Sequence, residues 1–522
     1  MPSHRFLGRL AVGVAALATL GVAALSGATS AAAVDDSVTP LNSNIVITGA
    51  GWGHGKGMSQ WGAYGAADAG LSYRQILAFY YPTTTVSTLA AGTRLRVLIS
   101  ADDDGRLDVA PATGLLIKDA AGTTWTLPSG SNYRRWRISR SGSSRVLHYL
   151  NASGTWVKKS TPLSASRNWA VSNPDRGYVT VRLPGGSYRD LRDRVWLRFL
   201  GTGARTVNSL TMENYLRSVV PSEMPASWPA AAVQAQSVAA RSYAARYLVR
   251  PLTSVYDICD TTYCQVYRGL ATRSGSTRTV HEYEASTAAA QDTAGQVLRS
   301  GTAIALTMFS SSNGGWSADG GTPYLVAKED PYDGRMRNQA WSQAVSSARI
   351  QKLFPSIGTF RALKIVDRDG SGSWGGRVDT VTLVGSSGSV TVSGGTFKSR
   401  LGLRERLFHA VAGLAPGTGN WDRWQSLGGT TSWVGAPISS EVKVAGGLAA
   451  RFDGASLYWS SGTGSHYLTG ALIGAYARAG GPAGDLGFPR TDTEKGDGYV
   501  RAYFQKGRIT CPTGKECVVS LG

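Results

Sequence analysis

A lone histidine stands among glycines that alternate along residues 51–62. The glycines on both sides carry no side chains, so that backbone or a ligand can approach the imidazole of His54 closely. The segment lacks the spacing and the Lys-Ser/Thr pair of a phosphate-binding loop. His54 is therefore a candidate acid/base, ligand or substrate-positioning group, with a structural role as the alternative.

A second candidate is Glu223, which lies between Pro221 and Pro225 and next to Met224. The two prolines predict a stiff, non-helical turn. Apolar neighbours desolvate a carboxyl group, which raises its pKa and prepares it to act as a general acid. The alternative is a charge that the dipole of the following helix stabilises at its N-terminus.

Residues 310–316 form a polar, glycine-containing segment after the β-like run 303–309. Such a loop is suited to line a cleft. It has no Gly-x-Ser-x-Gly pattern, so no serine-hydrolase triad is assigned to it.

The element that must position Glu223 is an alanine-rich helix predicted over residues 228–250, with Ser227 as its cap. Gln234 and Arg241 share one face of this helix because they lie seven residues apart. This polar stripe indicates a buried or site-facing network, or else an ordinary solvent-facing surface.

The composition and the N-terminus indicate an exported α+β protein. Hydrophobic residues make up 42% of the 522 residues, which excludes intrinsic disorder as the main state. Arg5 and Arg9, the apolar run 10–25 and the small residues at 31–33 predict a secretory signal peptide over residues 1–33. We therefore expect a secreted mature chain from Val34 without a membrane span.

Four cysteines form two close pairs, Cys259/Cys264 and Cys511/Cys517. An even number of cysteines in an oxidising compartment favours two disulfides. We expect no cofactor. The alternative for the first pair is a zinc site, although only two thiolates and nearby carboxylates are available for the usual four ligands.

Positive charge is concentrated in residues 131–205, which contain 15 Lys and Arg against 3 Asp and Glu, with aromatic residues interleaved. Export argues against nucleic acid as the partner and favours an anionic wall polymer. The alternative is a solvated, arginine-biased β surface.

The chain divides into four parts. After the signal peptide we predict one α+β unit over residues 34–415, composed of the histidine segment 34–85, a β-rich basic subdomain 90–205 and a core 206–410. A linker at 416–420 precedes a module of short β elements at 421–522. This module repeats with a period of 52, because residues 434–437 align with 486–489. We expect its second unit to be cut short, with the Cys511/Cys517 pair pinning its end.

Several long motifs resemble the stage II sporulation protein D (SpoIID) family, over most of residues 45–410 outside the basic stretch. These motifs are 54–60 (HGKGMSQ), 80–82 (YYP), 213–228 (ENYLRSVVPSEMPASW), 235–244 (AQSVAARSYA), 260–267 (DTTYCQVY), 310–315 (SSSNGG), 324–325 (YL) and 401–404 (LGLR). The repeat module resembles the LGFP repeats of exported actinobacterial proteins, which implies attachment to the cell wall.

In the family the His-Gly segment usually follows the Leu-Gly-Leu-Arg segment, whereas here it comes first. This order looks like a circular permutation, which is tolerated where chain ends lie close together. It predicts that residues 48–62 pack beside the sheet region 381–403.

The resemblance implies a lytic transglycosylase that cleaves peptide-free peptidoglycan strands, with Glu223 as the acid/base. It also implies substrate-binding or supporting roles for further residues, namely His54, Ser59, Gln60, Gln234, Arg241, Tyr243, Ser311 and Ser312. Some relatives stimulate a wall amidase, which keeps a non-catalytic wall-binding protein as the alternative. Some carry a metal near the segment that matches residues 256–267.

Overall fold

The computed structural model describes residues 37–40, 43–333, 340–414 and 417–522, so the predicted signal peptide lies outside the described residues. Helices and several β-sheets are combined in one compact unit, which confirms the predicted α+β class. None of the described helices is long and apolar enough to cross a membrane.

The helices in the described part of the chain are mostly short. They are α1 (Gln60–Asp68), α2 (Tyr73–Tyr80), α3 (Met212–Glu223), α4 (Ala230–Val249), α5 (Glu284–Asp292), α6 (Ser347–Leu353), α7 (Gly394–Leu401), α8 (Gly419–Ser426) and α9 (Ala471–Arg478).

The alanine-rich helix α4 confirms the helix predicted over residues 228–250 to within two residues. Its cap is Pro229 rather than Ser227, because the N–H of Trp228 already donates to the carbonyl of Pro225 in a separate turn. Most of its alanines are fully buried, since helices surround it on several sides.

Glu223 does not lie on a non-helical turn, as its flanking prolines predicted. It is the last residue of α3, which continues through Pro221. Two hydrogen bonds close the last turn. The N–H of Met224 donates to the carbonyl of Val220, and the hydroxyl of Ser222 donates to the carbonyl of Ser218. Pro221 itself has no N–H to donate, so these two bonds close the turn around it.

The strands before the repeat module are short and numerous. They are β1 (Ser37–Val38), β2 (Asn44–Ala50), β3 (Met58–Ser59), β4 (Thr85–Thr88), β5 (Arg94–Leu98), β6 (Leu107–Val109), β7 (Leu116–Asp119), β8 (Thr124–Thr126), β9 (Arg135–Ser141), β10 (Ser144–Leu150), β11 (Trp156–Lys159), β12 (Trp169–Ser172), β13 (Tyr178–Arg182), β14 (Tyr188–Arg192), β15 (Arg194–Leu200), β16 (Gly203–Thr211), β17 (Ile258–Cys259), β18 (Ala271–Ser274), β19 (Thr277–Val280), β20 (Gln296–Ser300), β21 (Ala303–Ile304), β22 (Phe309–Ser310), β23 (Ala340–Ser346), β24 (Phe360–Arg368), β25 (Val378–Gly385), β26 (Gly388–Ser393) and β27 (Phe408–Ala412).

The basic stretch contributes strands to two sheets, with strand orders β11-β10-β9-β6-β13-β14-β18-β19 and β17-β5-β16-β15-β12-β7-β8, and it supplies most strands of the first. Several of its arginines are engaged within these sheets. The guanidinium of Arg137 pairs with both carboxylate oxygens of Asp108 and lies 3.9 Å from the ring centroid of Trp156. The guanidinium of Arg145 lies 3.5 Å from the ring centroid of Phe199. The interleaved aromatics therefore have a structural reason, since they stack on arginines.

Strands from opposite ends of the chain meet around β2, which pairs with β23 on one side and β27 on the other. The N–H of Gly53 donates to the carbonyl of Arg404, and the ammonium of Lys398 donates to the carbonyl of Gly53. The histidine segment therefore packs against the end of the region 381–403, at Lys398 of α7 and at the adjacent Arg404, in the direction that the permuted motif order predicts. The parallel pairing of β3 with β22 then sets the histidine segment beside the loop at 310–315.

The C-terminal repeats each consist of a helix followed by a four-stranded meander. Their strands are β28 (Val442–Val444), β29 (Gly447–Arg451), β30 (Ser456–Ser460), β31 (Gly464–Leu468), β32 (Glu494–Gly496), β33 (Tyr499–Phe504), β34 (Gly507–Pro512) and β35 (Val518–Leu521). The bridges Pro437–Phe452 and Pro489–Phe504 keep the 52-residue period. The second unit has the same number of strands as the first, so the expectation that it is cut short is wrong.

The first repeat packs on the main body of the protein. Val46 of β2 and Val411 of β27 share a buried cluster with Trp424, Val434 and Phe452. The repeats are therefore anchored to the strand pair that also carries the histidine segment.

Candidate active site

A cleft of about 410 Å³ opens where the end of α3, the middle of α4, the histidine segment and the loop at 310–315 converge. It brings together five of the residues that the sequence singled out, namely His54, Gln60, Glu223, Tyr243 and Ser311. Other residues that line it are Trp52, Gly53, Thr262, Tyr263, Cys264, Val266, Met308, Phe309 and Ser310. The cleft therefore joins segments that are more than 250 positions apart in the chain.

Glu223 projects from the last turn of α3 into this cleft. One of its carboxylate oxygens accepts the N–H of Val266 at 2.7 Å. Burial raises the pKa of Glu223 above its ordinary value, although the Val266 hydrogen bond and the nearby charge of Arg268 act in the opposite direction. Glu223 consequently keeps its proton at a higher pH than an exposed glutamate does, as a general acid must.

His54 lines the same cleft, and hydrogen bonds hold its ring. Its Nδ1 accepts the N–H of Lys56 at 3.0 Å, and the ring is hydrogen-bonded to the backbone of Phe309. Burial, together with the charges of Lys56, Lys398 and Arg377, lowers the pKa of His54 to about 4. The imidazole is therefore neutral near pH 7 where it lines the cleft.

Ser59 and Ser312 turn away from the cleft and bind Asp333. The Ser59 hydroxyl donates to one carboxylate oxygen of Asp333 at 2.5 Å, and the Ser312 hydroxyl donates to the other at 2.8 Å. The backbone N–H groups of Gly314 and Gly315 donate to the same Asp333 oxygen as Ser312. These two serines therefore hold the loop that presents Ser311. The sequence predicted that both would line the cleft, but neither does.

Asp333 and its neighbour Asp330 are positioning residues that sequence reasoning missed. Asp330 accepts the hydroxyl of Tyr80 at 2.8 Å and the side-chain amide of Asn313 at 2.7 Å. Burial raises the pKa of Asp333 to about 6. The signal that could have found them is a pair of aspartates close after a serine- and glycine-rich loop, since free N–H and hydroxyl groups need acceptors.

Gln234 and Arg241 lie on the far side of α4. The Arg241 guanidinium is fully buried and donates to both carboxylate oxygens of Glu213, at 3.0 and 2.8 Å, and to the carbonyl of Ala290 at 2.9 Å. The amide of Gln234 donates to Asp292 at 3.0 Å. Tyr243 faces the cleft because two residues along a helix correspond to a rotation of about 200°. The structure therefore places Gln234 and Arg241 in a network toward α5 and not at the cleft.

Two exposed aromatic side chains at the cleft were also missed. Trp52 is 56% exposed and Tyr263 is 82% exposed, and both line the cavity. The guanidinium of Arg404 lies 4.6 Å from the ring centroid of Trp52. Exposed aromatic faces beside a polar cleft suit flat, partly apolar ligands such as sugar rings. The sequence did not separate these two from the many other aromatics because it does not show exposure.

The cysteines form two disulfides, Cys259–Cys264 and Cys511–Cys517. The first closes the loop that carries Tyr263 and so shapes the cleft. The carboxylates considered as zinc ligands bind elsewhere: Asp257 pairs with Arg96, and Asp260 accepts the Ser100 hydroxyl and pairs with Arg189. No cluster of three or more metal-ligating side chains occurs among the described residues.

The disulfides lead to a prediction about thiols. We expect the exported protein to show no free thiol in denaturant and four after reduction, because all its cysteines are paired. Thiol titration combined with metal analysis measures this. Two free thiols with one equivalent of zinc would instead restore the metal site.

Comparison with known proteins finds two families similar to parts of this chain. Residues 201–299, which include Glu223, match the Stage II sporulation protein (SpoIID) family, and residues 434–484 match the LGFP repeat. The class these matches indicate is a SpoIID-like segment followed by an LGFP-like segment.

Particular relatives agree with this class. The chain is 34% identical over 143 residues to the amidase enhancer of Bacillus subtilis, covering 26% of this chain and 17% of that protein. It is 28% identical over 222 residues to stage II sporulation protein D of the same organism, covering 40% of this chain and 60% of that protein. It is also 42% identical over 64 residues to an uncharacterized protein of Brachyspira hyodysenteriae, covering 12% and 17%. The matched segments thus span less than two thirds of each relative.

Proposed function

We propose that this protein is an exported, wall-associated lytic transglycosylase that cleaves the MurNAc–GlcNAc bond of peptide-free glycan strands. The observation that carries the proposal is the single carboxyl group at the cleft. Of the described residues that line it, Glu223 alone is acidic, and burial raises its pKa.

One carboxyl group is sufficient for this reaction. Protonated Glu223 gives its proton to the oxygen between MurNAc and GlcNAc as the bond to C1 of MurNAc breaks. The C6 hydroxyl of the same MurNAc attacks C1, and its proton passes to the Glu223 carboxylate. The product is a 1,6-anhydro sugar, and Glu223 is protonated again. Hydrolytic glycosidases need a second carboxylate because their nucleophile is water or the enzyme itself.

The remaining cleft residues are suited to hold the strand. Gln60, Tyr243 and Ser311 offer an amide and two hydroxyls as hydrogen-bond partners for sugar hydroxyls. Trp52 and Tyr263 offer exposed ring faces at the same cleft. In this proposal, the LGFP repeats and the basic sheets keep the enzyme on an anionic, sugar-rich wall, because two weak attachments raise the effective concentration.

The proposal is tested by product mass. Purified protein is incubated with peptide-free glycan strands, and the products are analysed by mass spectrometry. We expect fragments ending in 1,6-anhydro-MurNAc, one water lighter than hydrolysis products. Reducing-end fragments, or no fragments at all, would contradict the proposal.

The alternative is a non-catalytic protein that stimulates a wall amidase, and the similarity to the Bacillus subtilis amidase enhancer favours it. It predicts binding to walls without turnover. It also predicts a rate increase of a partner amidase that persists in Glu223→Gln.

The proposed mechanism predicts a pH dependence. Because Glu223 must be protonated to act as the acid, kcat/KM falls as pH rises through its raised pKa. The charge of Arg268 lowers that pKa, so Arg268→Gln moves the falling limb to higher pH. Rate profiles of wild type, Arg268→Gln and the exposed control Arg250→Gln measure the shift. A limb that moves to lower pH in Arg268→Gln, or equally in both variants, speaks against Glu223 as its origin.

A further inference from the structure

A second cavity, of about 610 Å³, lies beside the cleft. The two cavities are neighbours because His54 lines both. Three cationic side chains line the second cavity, namely Lys56, Lys398 and Arg406, and Glu405 is the acid among its described lining residues. We refer to this cavity as the basic pocket.

Two of the positive charges in the basic pocket are not neutralised by local ion pairs. Arg406 pairs with Asp379 at 2.5 Å, and Glu405 pairs with the buried Arg377. Lys398 donates to a neutral backbone carbonyl. Within the described part of the chain, neither Lys56 nor Lys398 has an acidic partner at ion-pair distance. The pocket therefore carries a local excess of positive charge beside the cleft.

The field of these lysines reaches the boundary between the two cavities. After burial, Lys56 and Lys398 are the largest causes of the low pKa of His54. An anion in the basic pocket would feel the same field with the opposite, favourable sign. Lysine ammonium groups on flexible stems suit a carboxylate or a phosphate.

We propose that the basic pocket binds a carboxylate of the same glycan strand whose scissile bond lies at Glu223. This inference rests on the proposed function, because a strand held at Glu223 continues past His54 into the pocket. A MurNAc unit carries a free carboxylate on its lactyl ether only when no peptide is attached. A stem peptide converts that carboxylate into a neutral amide, so the pocket selects peptide-free units by charge.

The test measures binding without turnover, so that it does not depend on catalysis. Peptide-free strands, and the same strands with methyl-esterified carboxylates, are titrated into Glu223→Gln protein by calorimetry. We expect the free-acid strand to bind about fivefold more tightly than the ester, as one partly exposed ion pair allows. Adding Lys56→Gln abolishes this difference. Adding Lys56→Arg, which keeps the charge, or Lys364→Gln, which removes an exposed charge elsewhere, preserves it.

Three results would overturn the inference. The first is equal affinity for acid and ester, including absence of binding to both. The second is a difference that persists in Lys56→Gln. The third is a phosphate-rich polymer without carboxylates that binds more tightly than the free-acid strand in a Lys56-dependent way, since the pocket would then belong to that polymer. Failure of wild type to cleave any strand would count against the proposed function alone.

Discussion

Replacing Glu223 with glutamine is expected to lower kcat on peptide-free glycan by about 10³-fold, within the range of general acid–base catalysis. Glutamine has nearly the same shape and keeps an oxygen that can accept the N–H of Val266. It cannot give a proton to the leaving oxygen or take one from the C6 hydroxyl. Initial rates from product analysis measure the loss, and KM should change little because the shape of the cleft is retained.

The control for this variant is Glu284→Gln, which removes an exposed carboxyl group at the first turn of α5. It should keep the wild-type rate, and both variants should unfold at the wild-type temperature. A Glu223→Gln protein with more than a tenth of the wild-type rate would remove Glu223 from the mechanism. Full stimulation of a partner amidase by the same inactive variant would instead favour the enhancer hypothesis.

Arg241 provides the second large effect, on stability rather than on rate. Arg241→Met is expected to lower the free energy of unfolding by about 2 kcal/mol, as for the loss of hydrogen bonds to a charged group, because the side chain of its partner Glu213 is 42% exposed. The apolar side chain removes the guanidinium donor of the Ala290 carbonyl and leaves the carboxylate of Glu213 with the N–H of Gly295. Urea unfolding measures the loss, and kcat and KM of the folded fraction should stay at wild-type values.

Tyr243→Phe is the matched comparison on the same helix, two residues further along. It removes a hydroxyl at the cleft, so we expect a higher KM with nearly unchanged stability. The opposite pattern, a raised KM in a fully stable Arg241→Met protein, would return Arg241 to the substrate-binding residues. The pair of variants thus separates the two faces of α4.

Local sequence patterns predicted where helices begin and end better than they predicted which neighbours each helix face contacts. The alanine-rich run gave helix α4 to within two residues, because helix propensity and flanking prolines act locally. The same pattern grouped Gln234 with Arg241 but did not show which neighbour their face would meet. That face meets α3 and α5, where Glu213 of α3 and the carbonyl of Ala290 of α5 provide acceptors. The non-helical turn that Pro221 and Pro225 predicted is not present, because α3 continues through Pro221 to Glu223.

The sequence by itself determined the α+β class, the 52-residue repeat and the cysteine pairs, which follow from composition and spacing along the chain. The choice of Glu223 as the carboxyl group of interest came from the resemblance of its motif to the SpoIID family. Only the tertiary structure decided that Ser59 and Ser312 serve Asp333, that Trp52 and Tyr263 are exposed at the cleft, and that the basic pocket adjoins it. Such contacts join residues far apart in sequence, and the packing of whole strands and helices sets their geometry.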